Sequence, residues 1–291
     1  MITSCPFCFS TQNVSTVFEN TYFNGKIFEY RKCLECKLIY VQPFPSHDDY
    51  VAMYPTTYQG EINLDTLYRN ENSKIIKLIN QYSNKKKLLD YGCGNGSFIL
   101  QAQENKFECT GVEFSNELII SLSKQFNNVN FQNIIEFENK NEKFDIIHIS
   151  NVLEHLINPF EVIQNLKRRL NDDGIFIISG PIENNLSLAL VFRKLFFGVR
   201  KYFLNKNNNH APFHIFYSNS TNQSLFFTKS ELSELYFEVK EIAWPFPSNL
   251  RDSKGLAKKL MYFIAKLSIF FSLFNKKLGN NFIYVGCKKK S

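Results

Sequence analysis

The sequence predicts an α/β protein: a doubly wound parallel sheet preceded by a small N-terminal domain. From residue 85 onwards, short apolar runs alternate with amphipathic stretches, as strands and helices do when both faces of a parallel sheet are covered. In the first 45 residues, four cysteines form two C-x2-C pairs, a spacing typical of a metal-stapled domain. The 291 residues, 44% of them hydrophobic, are sufficient for both units.

Residues 1–45 are predicted to form a zinc ribbon. The two pairs are Cys5-Pro-Phe-Cys8 and Cys33-Leu-Glu-Cys36. Four thiolates on two tight turns can converge tetrahedrally on one Zn²⁺, whereas a redox pair is the alternative interpretation. A zinc ion with four protein ligands organises a fold and leaves no open position for chemistry.

Residues 46–84 are predicted to form a helical linker or cap. Pro43 and Pro45 stiffen the exit from the first domain. Apolar residues then recur at intervals of three and four, which is the spacing of one helix face: Leu64, Leu67, Tyr68, Ile75, Leu78 and Ile79.

Residues 85–291 are predicted to form the main domain. In chain order we expect a strand at KKLLDYG, a helix to residue 106, strands at FECTGVEF, NVNFQ, FDIIHIS and GIFIISG, and intervening helices near 116–126 and 159–170. Asn158 and Pro159 have the residue types of an N-cap and a first helical position, and Thr228 with Glu231 predicts a second helix start by a capping box.

The final part of this domain is predicted to contain helical insertions near 184–205 and 250–278. EVKEIAW and NFIYVGCKK are expected to be strands, and a strand pair closing a doubly wound sheet would make the last strand antiparallel.

A glycine loop follows the first predicted strand of the main domain, with glycines at three of five positions: Gly92, Gly94 and Gly96. Such a loop lets the backbone pass close to a ligand, although a tight turn without a ligand is the alternative. A dinucleotide fingerprint needs glycine where Ser97 stands, which disfavours NAD. Asp90 precedes the loop and Glu113 ends the next strand, where a carboxylate can accept both ribose hydroxyls. Two acids around the loop favour a cationic ligand without phosphates.

These segments resemble class I S-adenosylmethionine (SAM)-dependent methyltransferases. LLDYGCGNGSF is similar to their first motif, VEF to the end of their second strand, and FDIIHISNVLEHLINPFEVIQNLKRRLNDDGIFIISGP to their fourth and fifth strands. The match covers about residues 85–180. CPFC, CLECKLIYVQPFP and Tyr50 to Tyr58 are similar to the zinc-binding N-terminus of bacterial methyltransferases of nucleotide-sugar, polysaccharide and other secondary-product pathways. Those often carry glycine after each cysteine pair, where Phe9 and Lys37 stand here.

The resemblance implies a set of SAM-binding residues on a Rossmann-like sheet. Gly92 and Gly94 would approach the methionyl part, Asp90 would anchor it directly or through water, and Cys93 and Gly96 of the same loop would also bind the cofactor. Glu113 would bind the ribose and Phe114 would flank the adenine. Asn133 would contact the adenine amine, with an ordinary loop asparagine as the alternative, and Asn151 would hold the amino-acid end.

Histidines are the candidate bases, because a hydroxyl acceptor must lose a proton during methyl transfer. His148 lies within a predicted strand and is expected to be structural, and His47 lies in the linker. His155, His210 and His214 remain as catalytic or acceptor-binding candidates, with structural hydrogen bonding as the alternative.

A second metal is not expected near His155. Some quinone-ring and RNA-end methyltransferases resemble this segment but use E-x-x-E-H to hold Mg²⁺. Asn151 replaces the first carboxylate of that pattern here.

The charge is uneven along the chain, with a net −1 over residues 1–50, −4 over 51–187 and +12 over 188–291. A zinc ribbon that binds RNA should be basic, because its lysines and arginines neutralise phosphates. In addition, no N-P-P-Y-type segment, which would clamp a base, follows the fourth strand. Nucleic acid is therefore disfavoured as a partner. The basic C-terminal third keeps an rRNA methyltransferase as an alternative. A non-catalytic binding protein is the second alternative, disfavoured because the acids and glycines of the SAM motif are intact.

Residues 256–274 are predicted to form an apolar helix with a narrow polar stripe of Lys259, Tyr262 and Lys266. Such a helix favours packing on its own domain or on a homodimer partner. Lys/Arg pairs at 193/194, 200/201, 258/259 and 276/277 indicate peripheral contact with an anionic membrane as the further possibility. The longest nearly apolar run is shorter than the roughly 20 residues of a spanning helix, and the first residues do not look like a signal peptide, so a cytoplasmic location is expected.

The sequence as a whole therefore predicts a SAM-dependent methyltransferase with a structural zinc ion. The expected acceptor is a small polar molecule, a nucleotide sugar or glycan precursor of surface-glycan biosynthesis. O-methylation is favoured, because resembling sugar C-methyltransferases usually carry a further C-terminal domain whereas this sequence ends with NFIYVGCKKKS.

Overall fold

The computed structural model of the chain describes residues 4–54, 66–188, 190–192, 194–195, 209–242, 250, 255–275 and 277–289. The strands are β1 Asn13–Ser15, β2 Thr21–Phe23, β3 Lys26–Cys33, β4 Ile39–Gln42, β5 Lys87–Tyr91, β6 Glu108–Glu113, β7 Asn130–Asn133, β8 Phe144–Ser150, β9 Leu170–Pro181, β10 Phe216–Tyr217, β11 Leu232–Lys240 and β12 Asn281–Lys288. The helices are α1 His47–Met53, α2 Thr66–Tyr82, α3 Ser97–Glu104, α4 Asn116–Gln125, α5 Ile134–Glu138, α6 Pro159–Arg169, α7 Ser220–Lys229 and α8 Leu256–Phe274.

The main sheet has seven strands in the order β11-β12-β9-β8-β5-β6-β7. The pairs from β9 to β7 are parallel, and β12 runs antiparallel to both β9 and β11. Neighbouring side chains on one strand enter different cores, because alternate residues point to opposite faces. Leu89 and Ile147 pack in one core cluster, whereas Leu88 and Ile146 pack in the other. The doubly wound sheet with an antiparallel last strand is confirmed.

The two predicted helix starts have different outcomes. Helix α6 begins at Pro159 with Asn158 at its N-cap, as predicted. A helix starting at Thr228 is wrong: Thr228 lies in the last turn of α7, and β11 begins at Leu232. The sequence holds a competing cap, since the Asn219 side chain accepts from the Asn222 N–H at 2.9 Å. Helix α7 therefore starts earlier, and the apolar residues after it extend to pair with β12.

The N-terminal sheet has five strands and includes one from the far end of the chain. Strand β10 pairs antiparallel with β4, with Phe216 opposite Tyr40. Phe7, from the first cysteine pair, packs on Phe216 and Phe226 with ring centroids 4.8 and 4.5 Å apart. The N-terminal segment thus shares both a sheet and a core with residues 216–226, and the domain boundary at residue 45 stays a prediction.

Helix α1 is fixed to the N-terminal sheet through Asp49. Its carboxylate accepts hydrogen bonds from Lys26 Nζ at 2.7 Å and from the Ser46 N–H at 2.8 Å. Burial opposes ionisation, but these hydrogen bonds hold the pKa of Asp49 well below its usual range. The helix is therefore held in one orientation, which matters because two of its tyrosines reach the site described below.

The structure describes only part of the two helical insertions predicted near 184–205 and 250–278. Helix α8 lies within the predicted segment 250–278, whereas 196–208, 243–249 and 251–254 lie outside the described residues, as do positions 193, 200, 201 and 276 of the basic pairs. Within the described residues, no helix combines the length and the apolarity that crossing a membrane requires.

Candidate cofactor and acceptor site

The glycine loop lies between β5 and α3, and its three glycines have positive φ angles of 77°, 52° and 76°. A Cβ on Gly92 would lie 2.3 Å from Val152 Cγ2, and one on Gly96 would lie 2.9 to 3.0 Å from Leu122 and Phe126. Both positions therefore need glycine for packing as well as for conformation. A Cβ on Gly94 would meet nothing within 4 Å. Gly94 thus faces open space that a ligand can enter.

Glu113, the last residue of β6, connects this strand to the glycine loop that follows β5. Its Oε2 accepts from the Gly94 N–H at 2.9 Å, and its Oε1 accepts from the Phe114 N–H at 2.8 Å. The carboxylate therefore lies at the carboxyl edge of the sheet, where ligands bind in doubly wound folds.

Asp90 is buried and holds His148, with 2.7 Å between Asp90 Oδ1 and His148 Nδ1. The imidazole stacks on Phe98 at a centroid distance of 3.8 Å. The prediction that His148 is a buried structural residue is confirmed. Asp90 is fixed in place by a residue that faces the core rather than the loop.

The other predicted SAM contacts have local structural roles. The Asn133 side chain caps α5 by accepting from the Glu136 N–H at 2.8 Å, and the Asn151 N–H donates to the Ser179 carbonyl at 2.9 Å. Cys93 is buried in the core, and burial raises the pKa of its thiol well above the usual value. Phe114 is about two-fifths exposed beside Glu113. Their SAM-binding roles stay predictions.

His155 and His214 come together at the same edge of the sheet. Their ring centroids are 4.9 Å apart. His155 Nδ1 lies 2.7 Å from the Phe213 carbonyl oxygen, and His214 Nδ1 lies 3.1 Å from Glu183 Oε1. Both imidazoles are therefore held in fixed orientations by oxygen acceptors.

The surroundings of His155 favour a neutral ring. Burial lowers its pKa below 6.5, outweighing the nearby Glu154 carboxylate. Because a carbonyl oxygen only accepts, the proton of the neutral ring lies on Nδ1, facing Phe213. Nε2 then carries the lone pair, 3.8 Å from Glu154 Oε1. Such a nitrogen can accept a proton from a hydroxyl group.

His210 lies apart from this pair. It is exposed, and its Nδ1 lies 3.0 Å from the carbonyl oxygen of the adjacent Ala211. Its own carbonyl accepts from the Thr21 hydroxyl. The geometry brings together two of the three predicted histidines and gives His210 a role in joining the later loop to β2.

Tyr50 and Tyr54 contact His155, although neither was predicted from the sequence to be a site residue. The Tyr50 hydroxyl donates to the His155 carbonyl at 3.1 Å, and the Tyr54 oxygen lies 3.0 Å from His155 Nδ1. Both rings also contact Phe114, at centroid distances of 5.4 and 6.4 Å. Burial raises the pKa of Tyr50 to about 12, so it stays a hydrogen-bond donor. Their i, i+4 spacing around α1 was the available signal.

The four cysteines of the N-terminal segment converge, with all four sulfurs within 4.8 Å of one another. Cys5 Sγ lies 3.5 Å from Cys36 Sγ, and Cys8 Sγ lies 3.5 Å from Cys33 Sγ. A hydrogen bond from the Cys5 thiol lowers the pKa of Cys36 to about 6. A tetrahedral zinc site with bonds of about 2.3 Å places its sulfurs roughly 3.8 Å apart, so the donor set fits Zn²⁺.

The two cysteine turns have the same backbone geometry. The Phe9 N–H donates to the Cys5 carbonyl at 2.9 Å, and the Lys37 N–H donates to the Cys33 carbonyl at 3.2 Å. Phe9 and Lys37 both have φ near 65°, the left-handed region that favours glycine. Two residues with side chains therefore adopt the conformation for which the resembling proteins often use glycine.

Glu154, His155 and His214 form a second group whose ligand atoms lie within 4.8 Å of one another. Two imidazoles with one carboxylate do not fit Mg²⁺, which prefers oxygen ligands. Asn151 cannot add a carboxylate, and its amide Nδ2 donates to Ser150 Oγ at 3.4 Å. The group therefore lacks the oxygen-rich ligand set of a Mg²⁺ site.

The comparisons with known proteins all match methyltransferases. A protein-family model described as a methyltransferase domain matches residues 67–222, more than half of the chain. The ubiquinone biosynthesis O-methyltransferase of Glaesserella parasuis is 34% identical over 106 residues, covering 32% of this chain and 44% of that protein. The tRNA U34 carboxymethyltransferase of Campylobacter lari is 28% identical over 130 residues, covering 42% and 45%. The chain therefore matches less than half the length of these curated relatives.

A solved structure shares the fold. A SAM-dependent methyltransferase from Archaeoglobus fulgidus superposes with a TM-score of 0.50 at 17% identity, covering 76% of this chain and 94% of that one. At this identity the match concerns the fold alone.

Proposed function

The chain belongs to the methyltransferase-domain family, and on that premise we propose that it transfers the methyl group of SAM to a hydroxyl oxygen of a small acceptor. The observation that carries this proposal is the position of His155 at the carboxyl edge of the sheet, where its Nδ1 lies 2.7 Å from the Phe213 carbonyl oxygen. Such an imidazole can remove the proton from a hydroxyl acceptor, which is what O-methylation requires of a protein.

The residues around the glycine loop would hold the cofactor. Gly94 offers the open approach, and Glu113 stands where a carboxylate accepts from ribose hydroxyls. When bound, SAM supplies a methyl group already activated by its sulfonium. Phe114 and Tyr50 contact each other at 5.4 Å and lie between Glu113 and His155. This aromatic contact connects the cofactor side to the acceptor side.

The acceptor side would supply the base. The acceptor oxygen forms a bond to the methyl carbon as the carbon–sulfur bond breaks, and the hydroxyl proton passes to Nε2 of His155. The product is the methyl ether, with S-adenosylhomocysteine as the leaving molecule. Glu154, 3.8 Å from Nε2, stabilises the imidazolium that forms. His214, held by Glu183, is then a second polar contact for the acceptor.

Two relatives indicate the classes of acceptor to test. The Glaesserella parasuis protein is named as an O-methyltransferase of ubiquinone biosynthesis, which supports a small hydroxyl-bearing acceptor. The Campylobacter lari protein is named for tRNA U34, and it keeps an RNA acceptor as the second candidate. The sugar acceptor gains no support from these names and stays a prediction.

The four cysteines are proposed to bind one structural zinc ion. The support is the convergence of their sulfurs within 4.8 Å and the matching geometry of the two turns. The Lys229 Nζ donates a hydrogen bond to the Cys8 carbonyl oxygen at 3.4 Å, and the Phe7 ring packs on the Phe216 ring. Strand β10 follows His214 by two residues, so the zinc site would stabilise the segment that carries this histidine.

The proposal is tested with the purified full-length chain in two steps. Calorimetry with S-adenosylhomocysteine measures cofactor binding without an acceptor. Transfer from methyl-labelled SAM is then measured with catechols and phenols, nucleotide sugars and total tRNA as separate acceptors. Label in an acid-stable ether of a small molecule is the expected result. Cofactor binding with label only in tRNA would replace the proposal by the RNA candidate, and a lack of cofactor binding would overturn both.

A further inference from the structure

Helix α8 exposes an apolar face to solvent. Large apolar side chains recur every three or four residues along it and are all at least two-fifths exposed: Leu256, Leu260, Phe263, Leu267, Phe270, Phe271 and Phe274. Residues at this spacing share one face of a helix. We call these seven residues the apolar stripe. At its two ends, Leu256 is 89% exposed and Phe274 is 75% exposed.

The helix is already packed on its own domain through a different face. Ile264, Ala265 and Ser268 are buried. The Ser268 hydroxyl donates to Glu241 Oε1 at 2.8 Å, which ties the helix to the end of β11. The expectation that α8 packs on its own domain is therefore right for this face only. The apolar stripe is surface that intramolecular packing leaves exposed.

Among the residues that the structure describes, the charges on α8 and just after it are all positive. Lys258, Lys259 and Lys266 are exposed on α8, and Lys277 is exposed just after it. The sequence contains no aspartate or glutamate from residue 253 to the end. If a second copy packed antiparallel on the stripe, lysines would face lysines, with no acid on either helix to pair with them. An anionic surface is the complementary occupant.

The helix also adjoins the acceptor side of the site. Asn185 Nδ2 donates to the carbonyls of Lys277 and Gly279 at 3.0 and 2.8 Å. Asn185 lies two residues after Glu183, which holds His214. Leu186, 63% exposed, accepts from the Gly279 N–H. The residues that follow α8 are thus fixed to the segment that follows Glu183, the residue that contacts His214.

We propose that the apolar stripe of α8 binds the surface of an anionic phospholipid membrane. The helix lies in the plane of the interface, with its phenylalanines and leucines among the upper acyl chains and its lysines against lipid phosphates. Two features separate this mode from spanning: the stripe covers one face only, and the opposite face is fixed to Glu241. The surface would bring the acceptor side of the protein close to molecules carried in the membrane.

The test is vesicle flotation of the full-length protein. Vesicles of phosphatidylcholine mixed with phosphatidylglycerol are compared with vesicles of phosphatidylcholine alone. We expect binding to the mixed vesicles that weakens when the salt rises from about 50 mM to about 500 mM, because lysine–phosphate attraction is screened. Replacing Lys259 and Lys266 by glutamine should lower the affinity for mixed vesicles about fivefold per lysine removed.

The stripe is tested separately from the charge. Phe263→Asp combined with Phe270→Asp should lower binding to mixed vesicles at least about tenfold, because two buried aromatic contacts are replaced by anions. The matched control is Ile120→Asp, an exposed apolar residue on α4, which should leave vesicle binding unchanged. Circular dichroism and S-adenosylhomocysteine affinity, both unchanged in each variant, would show that the fold is intact.

Three results would overturn the proposal. One is the lack of flotation with mixed vesicles by a protein that binds S-adenosylhomocysteine. Another is flotation that the Phe263/Phe270 variant retains. The third is a homodimer by light scattering that the same variant turns into a monomer, which would make a second copy the occupant. Because cofactor binding is measured in parallel, failure of the membrane proposal is distinguishable from failure of the methyltransferase proposal.

Discussion

The cofactor side and the acceptor side of this site are built in different ways. On the cofactor side, the hydrogen bond from Gly94 to Glu113 joins residues 19 apart in the sequence. On the acceptor side, His155 meets Phe213 over a separation of 58 residues and Tyr54 over 101. One half lies between two adjacent parallel strands, and the other half is assembled from four separate segments. The cofactor half is therefore a local motif, whereas the acceptor half exists only once the whole chain has folded.

The largest expected effect is on the acceptor half. His155→Ala should lower kcat about 10² to 10⁴-fold, because a positioned base contributes that much, while the Kd for S-adenosylhomocysteine stays unchanged. Steady-state kinetics with labelled SAM and calorimetry measure the two quantities. His210→Ala is the matched control and should keep wild-type kcat. A parallel loss of cofactor affinity in His155→Ala would show that the two halves are not separable.

The pH profile tests the same residue without mutation. Burial lowers the pKa of His155 below 6.5, so the neutral base persists down to that range. As the pH falls through this pKa, Nε2 becomes protonated and kcat should fall with it. The acid limb should therefore have its midpoint below 6.5 and be absent in His155→Ala. A midpoint well above 6.5 would contradict the assignment of this base.

Removing the proposed zinc site should affect the proposed acceptor half more than the proposed cofactor half. Cys36→Ser should lose the bound zinc, measured by elemental analysis, and should lower methyl transfer by up to about 10²-fold, because small displacements of a catalytic group are costly. Cofactor affinity should change little, since the glycine loop lies in the other sheet. Cys287→Ser on β12 is the control. Equal losses in both measurements would show that the N-terminal sheet supports the whole fold rather than one half.

The reciprocal change is Glu113→Gln, which targets the cofactor half. It should weaken S-adenosylhomocysteine binding about 10- to 100-fold, because hydrogen bonds to a charged group contribute about 1.5 to 3 kcal/mol. With SAM at saturation, kcat should change far less than in His155→Ala. Glu117→Gln, an exposed acid nearby on α4, serves as the control. Unchanged affinity in Glu113→Gln would remove the carboxylate from the cofactor site.

The smallest effect concerns stability and should leave both halves unchanged. Burial raises the pKa of Glu241 from 4.5 to about 7. The folded state therefore binds this proton more tightly than the unfolded state, and stability is lost as the pH rises from about 4.5 to 7. Glu241→Gln should remove this dependence and raise the free energy of unfolding at pH 8, measured by urea unfolding, by up to about 3 kcal/mol. At pH 4 the two proteins should match.

The same contrast explains what the sequence could predict. Asp90, the three glycines and Glu113 lie at the ends of strands whose alternation is visible in the sequence, so the fold and the proximity of the glycine loop to Glu113 could be predicted. The contact between Tyr50 and Phe114 could not be predicted, because nothing in the sequence indicates that these two residues pack together across 63 intervening positions. The roles of His155 and His214 could be suspected only individually. Their meeting depends on β10 joining β4, and a strand of two residues leaves no periodicity to detect.

The late position of β10 in the sequence also determines when the N-terminal sheet can be completed during synthesis. The N-terminal sheet needs Phe216 and Tyr217 as its edge, so it cannot be complete until these residues have left the ribosome. Translation at about 5 to 20 residues per second puts the exit of residue 217 roughly 10 to 40 seconds after that of the cysteine pairs. During that interval the four thiols belong to a nascent chain without its closing strand. Binding of the proposed zinc ion before that exit would take place on a sheet that lacks its edge strand.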